Sequence, residues 1–162
     1  MKSINQLIIT LTVCLFSIQA WAQSGKLFNT DNQLSSNLAT QVFQDKSGFI
    51  WIATRNGLNT YDGYHITVMK KDMSNFSGLK SNYINSIAQD DKGHILLGTN
   101  NSLLEFTGSE FHKIPMLDSK GEELATYVKQ VYPLKNKDVA VATSGYGIMI
   151  KKKDAQECHA MK

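Results

Sequence analysis

Arg55, Tyr64, His65 and Asn100 are the residues of this sequence best suited to holding a ligand. A tyrosine ring offers an apolar face with a hydroxyl at its edge. Arginine and asparagine offer paired N–H donors, and histidine a donor and an acceptor. That inventory suits an oligosaccharide, which presents flat C–H faces for stacking and hydroxyls for hydrogen bonds. Trp51 and His94 belong to the same set of types, but Trp51 lies within the most apolar run, Phe49–Thr54, and is expected in the core. These residues share one property: residues of other types stand at the equivalent places of a neighbouring repeat.

Other chemistries find no support. The four histidines, His65, His94, His112 and His159, lack the i, i+4 spacing of a helical metal site. There is no nucleophile elbow, phosphate loop or zinc cluster, so no catalytic residue, cofactor or metal is expected. Asp45 and Asp90 could be offered as a carboxylate pair, yet each precedes a turn at the same place in its repeat. A residue used once per repeat serves the repeat, and aspartate caps turns by accepting backbone N–H bonds. Thr54 and Thr99 recur in the same way. An enzyme would need an acid or histidine peculiar to one repeat. Glu110, Glu122 and Glu123 are available, none of them in an informative motif.

The elements that would position these residues repeat. Leu34–Ile66 lies over Leu79–Phe111 at a constant offset of 45 without a gap. Eleven of 33 positions are identical, where average usage gives roughly two. A period near 45 with short strands inside it is that of propeller blades. In the first unit Ala39–Gln44, Phe49–Thr54, Leu58–Tyr61 and Tyr64–Lys70 read as strands, with turns at Asp45–Gly48, Arg55–Gly57 and Asp62–Gly63. Tyr64, Ile66 and Val68 are expected to face inward. The second unit follows suit, with Ser102 in place of Gly57 predicting a looser turn. A third begins after a loop at Ile114–Glu123, with strands at Tyr127–Tyr132, Val139–Thr143 and Gly147–Lys151. Its fourth strand is expected to be missing, since Lys152–Lys162 is polar and has no strand pattern.

The expected fold is therefore all-β: a partial β-propeller of about two and a half to three four-stranded antiparallel blades. Its blades cover about 34–70, 79–113 and 124–151, within a propeller segment 23–151, followed by a polar tail 152–162. Lys151–Lys153 reads as a solvated strand edge that discourages pairing. Residues 1–22 read as a secretory signal: Lys2, the apolar Leu7–Ile18, and a small-residue cleavage site at Ala20-Trp21-Ala22. The apolar stretch is shorter than the ~20 residues of a membrane span, so no retained anchor is expected. Export removes Cys14 and leaves Cys158 without a disulfide partner. A net charge of +3, with one arginine and scattered lysines, argues against a nucleic-acid partner.

Leu34-Ser35-Ser36-Asn37, Gln44-Asp45-x-x-Gly48-Phe49-Ile50-Trp51-Ile52-Ala53-Thr54 and Asn56-Gly57-Leu58-Asn59-x-Tyr61-Asp62-Gly63 resemble the two-component regulator propeller repeat. The second unit matches well and the third in outline. The resemblance implies the periplasmic sensor of a hybrid two-component histidine kinase of the Bacteroidetes, answering to glycan breakdown products. Relatives carry two propellers, an immunoglobulin-like segment, a membrane helix, a kinase, a receiver and a DNA-binding domain. This sequence shows no kinase or receiver motifs, so the expectation is a non-enzymatic binding fragment in the periplasm. Its expected partners are an oligosaccharide and either the remaining blades or another copy of the chain. Two other readings stand beside it: part of a propeller-type carbohydrate-active enzyme, and a truncated product without function.

Overall fold

Residues 25–71 and 78–161 are described by a computed structural model; the expected export signal, 1–22, and Cys14 lie outside them. Thirteen strands follow a short 3-10 turn at Thr30–Asn32: β1 (Ala39–Gln44), β2 (Ile50–Thr54), β3 (Gly57–Tyr61), β4 (Ile66–Met69), β5 (Ile84–Gln89), β6 (Ile95–Thr99), β7 (Leu103–Phe106), β8 (Phe111–Ile114), β9 (Met116–Leu117), β10 (Val128–Pro133), β11 (Val139–Thr143), β12 (Ile148–Lys151) and β13 (Cys158–Ala160). They form three sheets, β1-β2-β3-β4, β5-β6-β7-β8 and β10-β11-β12-β13-β9, hereafter blades one, two and three.

The recurring residues build recurring geometry. Asp45 Oδ1 accepts the N–H groups of Ser47 and Phe49 at 2.9 and 3.0 Å, and Asp90 Oδ1 those of Lys92 and His94 at 2.9 and 2.8 Å. Gly48 and Gly93 both take φ of 93°, the left-handed conformation that closes these turns. Thr54 Oγ1 donates to the Gly57 carbonyl, Thr99 Oγ1 to that of Ser102 and Thr143 Oγ1 to that of Gly147. Every first strand carries a bulge of one extra residue, between Ala39 and Gln41, Ile84 and Ser86, and Val128 and Gln130. Such a bulge tightens the local twist that stacked blades need.

Blade two is held on both sides. One apolar cluster joins Trp51, Ala53, Leu58 and Met69 of blade one to Ile84, Ile87, Ile95, Leu97, Leu104, Phe106 and Phe111. A second joins Ala88, Leu96, Leu103 and Ile114 to Val128, Val131, Val139, Val141, Met149 and Cys158. Burial of both faces, complete in β6 and from Trp51 onward in β2, is why these strands read as unbroken apolar runs rather than alternations.

Five expectations need correction. The fourth strand of blade three exists: β13 pairs antiparallel with β12 within the supposed polar tail, where Cys158 is completely buried. The supposed loop after Ile114 contains β9, which pairs parallel with β13. Lys151 is therefore a buried position covered by neighbours, not a solvated edge, and Lys152 bonds Asp138 at 2.9 Å. The turn at Ser102 is not loose, because Thr99 and Ser102 exchange backbone and side-chain hydrogen bonds of 2.9–3.0 Å. Tyr64, expected inward, is 83% exposed, because it lies in the Asp62-capped turn before β4 begins at Ile66, and Met69, expected outward, is the buried residue of that strand.

Candidate functional site

In a four-stranded meander, the turns after the first and third strands share one end of the sheet. The turn after the second strand shares the other end with the connection between blades. This separates the four candidate residues. Arg55 and Asn100 follow β2 and β6 at the connection end, whereas Tyr64 and His65 lie in the β3–β4 turn at the opposite end.

At the connection end an aromatic strip crosses the blades. The Arg55 guanidinium lies 5.4 Å from the Tyr83 ring centre, and Tyr83 lies 6.4 Å from Tyr127. Each tyrosine immediately precedes the first strand of its blade, as the exposed Leu38 does in blade one. The Tyr127 hydroxyl donates to Asn85 Oδ1 at 2.9 Å. Partial burial, and secondarily the adjacent Tyr83 hydroxyl, push the Tyr127 phenol above its ordinary pKa. Asn100 is exposed beside this strip and accepts a 2.7 Å bond from Ser81 Oγ, whose oxygen also accepts from Tyr83 N–H at 3.0 Å. Half-exposed rings flanked by a cation and amides can stack on and hydrogen-bond a polyol. Tyr83 and Tyr127 escaped the sequence reading. Their shared place one residue before a first strand was the available signal.

Tyr64 and His65 line a groove of about 280 Å³ with Lys26, Phe28, Asp31, Gln33 and Ile66. Lys26 sits 4.8 Å from the Tyr61 ring centre and 5.4 Å from that of Phe28. Asp62 accepts the N–H groups of Tyr64 and His65 at 2.7 and 2.6 Å, which hold its carboxyl below the ordinary carboxylate value. The arrangement is that of a capped turn with exposed side chains.

A larger cleft of about 420 Å³ opens at the Asp45 and Asp90 turns. Phe49, Trp51, Met69, Ile95 and Phe106 make it apolar, and His94 enters its wall. Trp51 is buried, as expected of a core residue; its ring meets Phe106 edge-on at 5.7 Å and its indole N–H donates to Asp45 Oδ2 at 2.7 Å. His94 Nδ1 lies 3.2 Å from Glu105 Oε1 and 3.6 Å from Asp90 Oδ2. The acids considered for catalysis stand elsewhere. Glu110 faces His112 in an exposed pair, Glu123 contacts Lys113, and the Glu122 N–H caps onto Asp118.

The family described as two component regulator propeller matches residues 33–56 and 78–101, the start of each of the first two blades. No curated protein matches the chain. Among solved structures, the extracellular domain of BT3049, described as that of a hybrid two component system of B. thetaiotaomicron, superposes with a TM-score of 0.68. It is 23% identical, over 85% of this chain and 19% of that one. The extracellular domain of BT4673 from the same organism gives 0.64 at 19% identity, over 78% of this chain and 18% of that one. PorZ, a surface component of the type-IX secretion system of Porphyromonas gingivalis, gives 0.57 at 14% identity, over 76% and 21%. The chain thus spans about a fifth of the length of these structures. At these identities the likeness is one of fold.

Proposed function

We propose that this chain, whose first two blades carry two-component regulator propeller repeats, forms part of a sensor's ligand-reading propeller outside the inner membrane. In this reading residues 1–22 direct export to the periplasm, and the described residues contain no helix long and apolar enough to cross a membrane. The ligand is an oligosaccharide set free by glycan breakdown, and the chain binds it without turning it over. The observation that carries the reading is the strip Arg55–Tyr83–Tyr127, with Asn85 and Asn100 beside it. Its residues come from the ends of three blades, where a scaffold of buried sheets holds loops in place.

The partner on the protein side is a further blade of the same kind, from a longer polypeptide or from a second copy. The open face of blade three supports this, with Tyr132 and Ile148 61% and 51% exposed around a groove of about 210 Å³.

Calorimetric titration with a panel of plant, fungal and host oligosaccharides tests the proposal. At least one sugar is expected to bind, and Tyr127→Ala and Arg55→Ala are each expected to weaken it about tenfold, the scale of one stacking or charge-assisted contact. Binding left unchanged by both substitutions, or absent across the panel, overturns the assignment.

A further inference from the structure

The two Asp turns are the same up to one atom. In blade one Asp45 Oδ1 caps its turn and Oδ2 accepts the Trp51 indole N–H. In blade two Asp90 Oδ1 caps its turn identically, but Leu96 stands where the indole would be. Asp90 Oδ2 instead faces His94 Nδ1 at 3.6 Å, and the Asp90 side chain is only 5% exposed. Two more replacements surround that oxygen. His94 stands where blade one has Phe49, and Glu105 where it has Thr60.

We infer that Asp90, His94 and Glu105 form a site for a divalent first-row transition metal ion, of the zinc class. Asp90 Oδ2, His94 Nδ1 and Glu105 Oε1 all lie within 4.8 Å of one another. An ion with bonds of about 2.0–2.2 Å spaces tetrahedral donors about 3.3–3.6 Å apart. Nδ1 stands 3.2 Å from one carboxylate oxygen and 3.6 Å from the other. Charge argues the same way. Two carboxylates, 5% and 15% exposed, share a single imidazole. The nearby lysines are engaged elsewhere: Lys46 bonds the Asp90 carbonyl, Lys92 pairs with Asp154, and Lys137 with Asp91. A cation at the centre of the three donors would compensate both carboxylates, and imidazole with carboxylate is a donor set suited to zinc and its neighbours. His94 also lines the 420 Å³ cleft, so water can complete the coordination from that side. The backbone bonds to Asp90 Oδ1 orient the carboxylate and supply the outer support that metal ligands use.

The test uses the full chain, stripped with a chelator and dialysed, then titrated with zinc sulfate. One zinc per chain is expected, with a rise in the thermal midpoint. His94→Ala and Glu105→Gln are each expected to lower affinity at least tenfold, while His65→Ala and His159→Ala leave it unchanged. Cobalt substitution gives a reading independent of stability: a visible d–d band in the parent, lost in Glu105→Gln, a near-isosteric change. No stoichiometric binding, or binding and a band that survive both Glu105→Gln and His94→Ala, overturns the site.

Discussion

At the scale of single residues, equivalent positions in successive blades act as internal controls. Asp45 and Asp90 cap the same turn, and what differs is the donor to the second oxygen. Trp51→Phe removes that donor while keeping most of the ring that packs on Phe106. A half-buried carboxylate oxygen losing its bond costs about 1–3 kcal/mol, so urea unfolding should show a loss of that order with an unchanged slope. Asp138 gives the pH counterpart. It accepts bonds from Lys152 Nζ and Lys153 N–H, each at 2.9 Å, and the Lys152 bond foremost holds its carboxyl below the ordinary value. A carboxylate depressed in the folded state stabilises above its unfolded pKa, and that contribution is lost as pH falls through the folded value. The parent should therefore exceed Asp138→Asn in urea midpoint at pH 7, and the gap should close on acidification below the ordinary aspartate range. A gap constant from pH 7 to pH 3 would show that the charge of Asp138 contributes nothing. Cys158 is inert for a related reason: burial pushes its thiol to about 12.

At the scale of elements, contacts between blades set the tolerance of each strand. The place held by Ala53 in blade one and Ala142 in blade three is Gly98 in blade two. A Cβ at Gly98 would meet Val128 Cγ1 at 2.6 Å. No special backbone angle is involved; the first strand of blade three simply lies that close. Gly98→Val should cost about 1–3 kcal/mol by overpacking, measured by urea unfolding, and pairing it with Val128→Ala should recover part of the loss. Strands of this kind were legible in the sequence because the pattern repeats at a fixed offset, and Asp45, Thr54 and their counterparts marked the turns. The strands β9 and β13 were not. Cys-His-Ala carries no alternation, and its partner Met116–Leu117 lies in the link between blades, so the pairing depends on a distant contact rather than local pattern. The cluster of Asp90, His94 and Glu105 was hidden likewise: Asp90 and His94 belong to the β5–β6 turn and Glu105 to β7, and only antiparallel pairing of β6 with β7 brings them together.

At the scale of the molecule, each blade hands side chains to the next. Thr40 Oγ1 donates to the Ile84 carbonyl at 2.6 Å, and Gln41 bonds both the N–H and the carbonyl of Ile87. One blade on, Asn85 Nδ2 donates to the Val128 carbonyl and Ser86 Oγ accepts from Val131 N–H, each at 3.0 Å. The corresponding pair in blade three is Lys129 and Gln130, both exposed. The apolar face beside them runs through Tyr132, Ala140, Ala142 and Ile148. These are the places of Phe43, Trp51, Ala53 and Leu58, which in blade one pack against blade two. Blade three thus presents both the polar and the apolar half of a contact whose complement is the free edge of another first strand. β1 presents such an edge, with Val42 63% exposed. Two copies meeting head to tail would therefore repeat the blade contact, a heterologous interface that closes or extends according to the rotation between copies. Sedimentation of the full chain should show association that rises with concentration, and Ile148→Lys should shift it to monomer by placing a charge where Leu58 and Leu103 are buried in the other blades. Thr67→Lys, an exposed change in blade one, is the control expected to leave association alone. If the Ile148 variant associates as the parent does, the third blade's open face is not the contact, whatever holds the copies together.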